Sequence, residues 1–347
     1  MDSLVKSISC FLRYRDFPGD ICPFHHKKRF FLEKGEKAVI SNHEDLDSYL
    51  TEYFKHYDFS KTGIFLSGGI DSVIMASYCP KGMYAFTIRY PEYRDVDEAD
   101  RAKFFADKFG LKLIMVDVTF DDVLRIHDQL CIFKKRPLSS IEIGLFAMCE
   151  EAKKRGLTNI ITGMGGDGLC GGFFNLLSKK WTNDEFIKRF TYLEPSLVLK
   201  QYDNCLEFFE KHFNEPYFDM MGFLDDVEDS YTLSYFLSSI EYFNLKLIAP
   251  YENCIRNFPI NVEDLINGNE KPVLRKLYKK RTQEDFVGRK YPMPRPTMVW
   301  QEKYGNIVNT EFYKDAYDRC LNPEQRWIVY TCDRFISLFK QGKFDDK

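Results

Sequence analysis

Gly63-Ile64-Phe65-Leu66-Ser67-Gly68-Gly69-Ile70-Asp71-Ser72-Val73-Ile74-Met75-Ala76 is the stretch that decides the fold. A short apolar run ends at adjacent glycines, and Val73, Met75 and Ala76 then carry a helical pattern up to Pro80. Strand, glycine turn and helix follow in that order. The turn is a phosphate cradle in its chemistry. Paired glycines let backbone N–H groups converge on an anion, a helix start adds its positive end, and Ser67 and Ser72 add hydroxyls. No lysine follows the glycines, so this is not a Walker loop; Asp71 stands inside it instead. A carboxylate beside phosphates repels them unless a divalent cation lies between, so the turn predicts Mg²⁺.

Outward from this unit the same alternation repeats. A helix over about 44–57, with Leu46, Leu50, Tyr53, Phe54 and Tyr57, precedes it. After it come a strand from Tyr84 to Ile88, a helix opened by Asp95 with Glu98 three residues on and closed by Gly110, and a strand from Leu111 to Val118. Ser139 with Glu142 starts another helix that runs to Gly156, and Asn159-Ile160-Ile161-Thr162 is a further strand. The pattern predicts an α/β fold, a parallel sheet with helices on both faces. In such sheets ligands sit at the carboxyl ends of the strands. Residues 1–45 show no clean period and are expected to be an irregular lead-in. Beyond about 174 the segments are long, aromatic and mostly helical, one of them starting at Asn322-Pro323.

The last of these strands enters a second glycine turn, Gly163-Met164-Gly165-Gly166-Asp167-Gly168. It spells GxGxxG, but a dinucleotide fingerprint needs a strand bearing an acid about 20 residues on. Phe173 to Glu185, with Asn175, Lys179, Lys180 and Asn183, is poor strand material. Asp167 would also repel a bare pyrophosphate. Together with Asp71 it would complete a two-carboxylate seat for Mg²⁺.

Composition narrows the rest. The 347 residues hold 49 Lys and Arg against 52 Asp and Glu, a net charge of −3, with 44% apolar residues, which describes an ordinary globular chain. No basic footprint points to nucleic acid. No run approaches the ~18 apolar residues that span a bilayer, and Asp2, Lys6, Arg13, Arg15 and Asp16 break the start where a leader would be apolar, so a cytoplasmic location is expected. The 10 cysteines are scattered without a CxxC pair, and Cys22 with His25 and His26 finds no second half-site, so buried thiols are expected rather than zinc.

Ser67-Gly68-Gly69-Ile70-Asp71-Ser72 resembles the SGGxDS signature of the ATP pyrophosphatases, which split ATP into AMP and pyrophosphate while adenylating a substrate. Thr162 through Gly168, followed by Gly171-Gly172-Phe173, resembles the second signature of one branch, the asparagine synthetase family. Asp97-Glu98, Ala249-Pro250-Tyr251-Glu252, Lys271 with Arg275, and Arg289-Lys290 resemble its further motifs. The likeness covers about residues 45–300, within an expected synthetase domain of 46–347 whose ATP-binding part is 46–174 and whose helical part is 175–347.

The resemblance implies that Ser67, Gly68, Gly69, Asp71 and Ser72 hold the pyrophosphate of ATP with its Mg²⁺, and that Asp167 shares the metal. It implies that Thr162 and Gly163 contact the nucleotide, that adenine lies near Leu66 and Phe86-Thr87, and that Lys290 reaches the transition state. There a fixed cation would stabilise charge developing on the α-phosphate and then on an oxyanion. Lys271 and Arg275 are expected to be solvated. Asparagine synthetases begin with a glutaminase domain, whereas this chain has Asp2 in place of its nucleophilic cysteine and too few residues before Gly63. Nitrogen is therefore expected from ammonia, a separate glutaminase subunit, a carrier or an amine substrate. Met164 stands where the family has glutamate and cannot take a proton. The implied function is an AMP-forming amide ligase acting on a small carboxylate. A tRNA-modifying or NAD-synthesising relative, or an inactive nucleotide binder, remains the alternative.

Overall fold

A computed structural model describes residues 3–17, 35–93, 98–172, 176, 179–227, 233–261, 263, 270–287 and 295–344. Five strands form one parallel sheet: β2 (Thr62–Phe65), β3 (Tyr84–Arg89), β4 (Lys112–Asp117), β5 (Asn159–Ile161) and β6 (Lys246–Ile248), in the spatial order β4-β3-β2-β5-β6. The chain steps outward from the central β2 to β3 and β4, then returns to the other side of β2 for β5 and β6. Ile64 is in register with Ala85 on one side and Ile161 on the other. The order reverses between β2 and β5, and a crevice at such a reversal is where open α/β sheets bind ligands.

Side chains alternate across the sheet, as the strand period requires. Ile64, Ala85, Ile161 and Ile248 enter one core with α2 (His43–Lys55), α3 (Ile70–Ala76), α4 (Glu98–Phe109) and the helix Pro272–Thr282. Phe65, Phe86, Ile160 and Leu247 enter the other with α6 (Ile141–Lys154) and the helix Leu233–Tyr242. Both faces are covered, which is why the strands read as continuous apolar runs.

The structure departs from the sequence expectations in three places. Residues 3–14 are not irregular: they form α1 (Ser3–Tyr14), buried along nearly its whole length. Leu4, Val5, Ile8, Phe11 and Leu12 recur at helical spacing, and most of the polar residues are buried too. Ser7 and Ser9 donate to the carbonyls of Ser3 and Val5, and Arg13 pairs with Glu194 at 2.6 Å. Second, α5 (Phe120–Lys134) fills the gap after β4, started by a reciprocal cap between Thr119 and Asp122. Third, the helical half supplies sheet strands. β6 completes the main sheet, and β7 (Cys254–Arg256) pairs in parallel with β1 (Ala38–Ile40). Asp95, Asp97 and Phe173 lie outside the described residues.

Candidate active site

Both glycine turns leave the sheet at the order reversal, one after β2 and one after β5. In the first, Leu66 donates its N–H to the Phe86 carbonyl at 2.9 Å and Gly68 takes a φ of +74°. The two hydroxyls are turned on the loop's own backbone. Ser72 Oγ accepts from Ser67 N–H at 3.2 Å and donates to the Gly69 carbonyl at 3.0 Å, while Ser67 Oγ accepts from Gly69 N–H at 3.3 Å. They shape the turn before any ligand arrives. Phe86 and Thr87 are buried beside it.

The second turn is braced from β6: Thr162 N–H bonds the Ile248 carbonyl at 2.9 Å. It ends in α7 (Gly166–Cys170), which carries Asp167 in its first turn. The turns touch at Asp71. A Cβ on Gly163 would meet the Asp71 backbone carbon at 2.7 Å, and one on Gly166 would overlap Asp71 Oδ1. Glycine here serves close approach rather than mobility. Tyr251, from the Ala249-Pro250-Tyr251-Glu252 element, closes the back of the site with its hydroxyl 3.4 Å from the Asp71 carbonyl.

The geometry brings Asp71 and Asp167 to a single cation. That cation is Lys271: its Nζ forms ion pairs with Asp71 Oδ2 and, at 2.5 Å, with Asp167 Oδ1. The expectation that Lys271 is solvated is wrong, because the residue is 2% exposed. Burial alone would lower the ammonium's pKa, but the two carboxylates outweigh it and hold the pKa above the ordinary lysine value. Two carboxylates this close repel each other unless a cation lies between, and Lys271 supplies it. The lysine precedes Pro272 at the start of the helix Pro272–Thr282, with its backbone in the left-handed region. Arg275 is directed elsewhere, onto the carbonyls of Glu270 and Phe286.

The carboxylate side chains stay 23% and 35% exposed while the lysine stem is 3% exposed. One oxygen of each carboxylate, Oδ1 of Asp71 and of Asp167, is buried, so the exposure lies elsewhere on these side chains. Carboxylate oxygens are the hard donors that suit Mg²⁺, which completes its shell with water and phosphate oxygens rather than a closed protein cage. Among the described residues no group of three or more His, Cys, Asp or Glu gathers as a metal cage. The residues present thus fit a shared ion and not a structural metal.

Met164 is buried in the same core as Phe65, Phe86, Leu145, Met148 and Ala249, so no proton acceptor stands at that position. Cys170 is buried and burial pushes its thiol up, which agrees with a packing role. Lys290 and Arg289, and with them the expected transition-state cation, lie outside the described residues. No described helix is long and apolar enough to cross a membrane.

A parallel sheet whose order reverses between two glycine turns, with an acid in each turn, is an α/β fold that carries its candidate site at the strand ends. Residues 57–234 match the asparagine synthase family over just over half the chain, and the protein belongs to that family. Among curated proteins it is similar to the amidase chry2 of Gibberella zeae, 26% identical over 128 residues, which is 32% of this chain and 19% of that protein. The chain spans about a fifth of the length of that relative. Among solved structures it is similar to the U34-tRNA thiolase NcsA from Methanococcus maripaludis, at 13% identity and a TM-score of 0.34, covering 75% of this chain and 73% of that one. It is also similar to the NMN synthetase from Francisella tularensis, at 10% identity and a TM-score of 0.23, covering 72% and 97%.

Proposed function

We propose that this protein is an ATP- and Mg²⁺-dependent, AMP-forming amide ligase. The observation that carries the reading is the convergence of Asp71 and Asp167, delivered by two separate strand ends, on one cationic position. A carboxylate oxygen of the substrate attacks the α-phosphorus, the bond to the β-phosphate oxygen breaks, and pyrophosphate leaves. Ammonia or an amine then attacks the acyl carbon, AMP departs with the electron pair, and the nitrogen loses a proton.

Asp71 and Asp167 would hold the Mg²⁺, which would screen the charge of the pyrophosphate. The first turn would cradle that pyrophosphate, with Ser67, Gly68, Gly69 and Ser72 around it. Thr162 and Gly163 would line the nucleotide, and adenine would rest near Leu66, Phe86 and Thr87. Lys290 is the residue we assign to the oxyanion. Most of the rate would come from positioning and charge neutralisation. With methionine at 164, the proton of the amine goes to a group other than that side chain.

The test is a product assay. Incubation with ATP, Mg²⁺ and a panel of small carboxylates with ammonia or amines should release AMP and pyrophosphate in step with amide. Release of ADP and phosphate would refute the cleavage mode. Asp71→Asn and Asp167→Asn should each abolish turnover while leaving a folded protein, and wild-type rates in either would remove the shared-metal reading.

A further inference from the structure

We propose that Lys271 is the resident counter-ion of the acidic seat, so that a divalent cation settles on Asp71 and Asp167 only when nucleotide phosphates draw the ammonium away. Metal and nucleotide then bind as one unit. This rests on the reading above that the two carboxylates take the metal.

The argument begins with charge. Two carboxylates alone carry −2 and would attract a bare dication strongly, whereas with the Lys271 ammonium the cluster carries −1 and the space between the oxygens is filled. A metal ion on the same oxygens would lie against the ammonium, and like charges at that separation exclude each other in a partly buried site. One of them has to move. The backbone at Lys271 is fixed by its left-handed conformation and by Pro272 behind it. The movable part is the four-carbon stem, a flexible carrier of a point charge.

Gly172 packs directly on the cluster: a Cβ there would overlap Asp167 Oδ1 and come within 2.8 Å of Lys271 Cε, so that flank is filled and the stem can swing only away from it. A triphosphate offers the ammonium new oxygen partners, so its departure from the carboxylates leaves no buried charge uncompensated. Without nucleotide no such partner arrives, and leaving the carboxylates would strand a cation that is 2% exposed. The lysine thus makes the metal site conditional on the nucleotide.

Mn²⁺, followed by the loss of its free-ion electron paramagnetic resonance signal, is the probe. Wild-type protein should bind Mn²⁺ alone weakly, and about tenfold or more tightly with α,β-methylene ATP present, a coupling of at least one decade in affinity. Lys271→Met should bind Mn²⁺ alone about tenfold or more tightly than wild type, because its seat has lost the competitor. Lys271→Arg, which keeps the charge, should remain weak. If Lys271→Met does not fold, the wild-type comparison with and without the analogue decides alone. Equal Mn²⁺ affinity in wild type and Lys271→Met, or no effect of the analogue on a tight wild-type site, would overturn this proposal while leaving the shared metal standing. Absence of Mn²⁺ binding in every form, with the analogue present, would overturn both.

Discussion

Replacing Gly166 by alanine is the most direct probe of how the two turns fit together. Glycine is a poor helix residue, and in an exposed helix the change to alanine stabilises by roughly 0.5–1 kcal/mol. Gly166 opens α7, so propensity alone predicts a gain. The packing predicts the opposite sign. A methyl group there would overlap Asp71 Oδ1 and sit 2.9 Å from its Cγ. Adding a methyl to a filled space costs about 1–3 kcal/mol, and the neighbour that must give way is the carboxylate that pairs with Lys271. Turning it aside would leave the ammonium with Asp167 as the remaining partner of the pair. The net expectation is a loss of about 1–2 kcal/mol, which for a chain of this size lowers the thermal midpoint by only a few degrees. The functional loss should be far larger, because Mn²⁺ affinity in the presence of α,β-methylene ATP should fall by about tenfold or more. Circular dichroism melting and the same paramagnetic titration read both quantities. A variant as stable as wild type with undiminished metal affinity would mean that the Asp71 carboxylate does not lie against residue 166.

Two further tests address stability. Burial pushes the Glu98 carboxyl up to about 7, against a partial downward pull from Arg101, whereas the ordinary value is 4.5. Between those two values the folded state binds more protons than the unfolded state, so the contribution is fully present below 4.5 and is lost as pH rises through 7. Urea midpoints should fall across that window in wild type and fall less in Glu98→Gln; an identical pH slope would refute the assignment. The second test concerns Lys134 and Glu142, which are 1% and 0% exposed and pair at 2.7 Å. Lys134→Met alone strands a buried carboxylate and should cost about 3–5 kcal/mol, while Lys134→Met with Glu142→Leu should recover most of it. A double variant as unstable in urea as the single one would contradict the pairing.

How much of this was legible in the sequence follows the range of the interactions. The glycine turns were visible because backbone geometry and close approach are written locally: adjacent glycines after an apolar run, with a helical pattern behind. That Asp71 and Asp167 would meet followed from the rule about strand ends, since β2 and β5 are neighbours in the sheet. Lys271 was picked out with Arg275 by its likeness to a family motif but read as solvated, because its partners lie far away in sequence, 200 residues in the case of Asp71, and a lysine followed closely by Arg275, Lys276, Lys279 and Lys280 looks solvated. The proline after it, which marks a fixed helix start rather than a loose basic run, argued against that reading. β6 was hidden for a different reason. It is as short as β5 but no glycine turn follows it to mark a strand end, and it is the place beside β5 that makes it a strand. α1 was overlooked although Leu4, Val5, Ile8, Phe11 and Leu12 recur at helical spacing, because those twelve residues were read together with the aperiodic stretch that follows them.

That first helix has a consequence for how the chain is made. Leu4, Ile8, Phe11 and Leu12 share their core with Trp327, Ile328, Phe335 and Ile336 of the helix Pro323–Lys340, and Phe17 meets Phe335 edge to face at 5.9 Å. A ribosome delivers α1 well before that helix, which follows the entire sheet and both turns. Until then α1 is held by earlier partners such as Tyr192, Leu193 and Phe209, but the face that meets this helix stays uncovered. Such delayed closure is the situation in which nascent chains stick to one another, so the yield of soluble protein should respond to chaperones and to growth temperature more than the finished molecule's stability would imply.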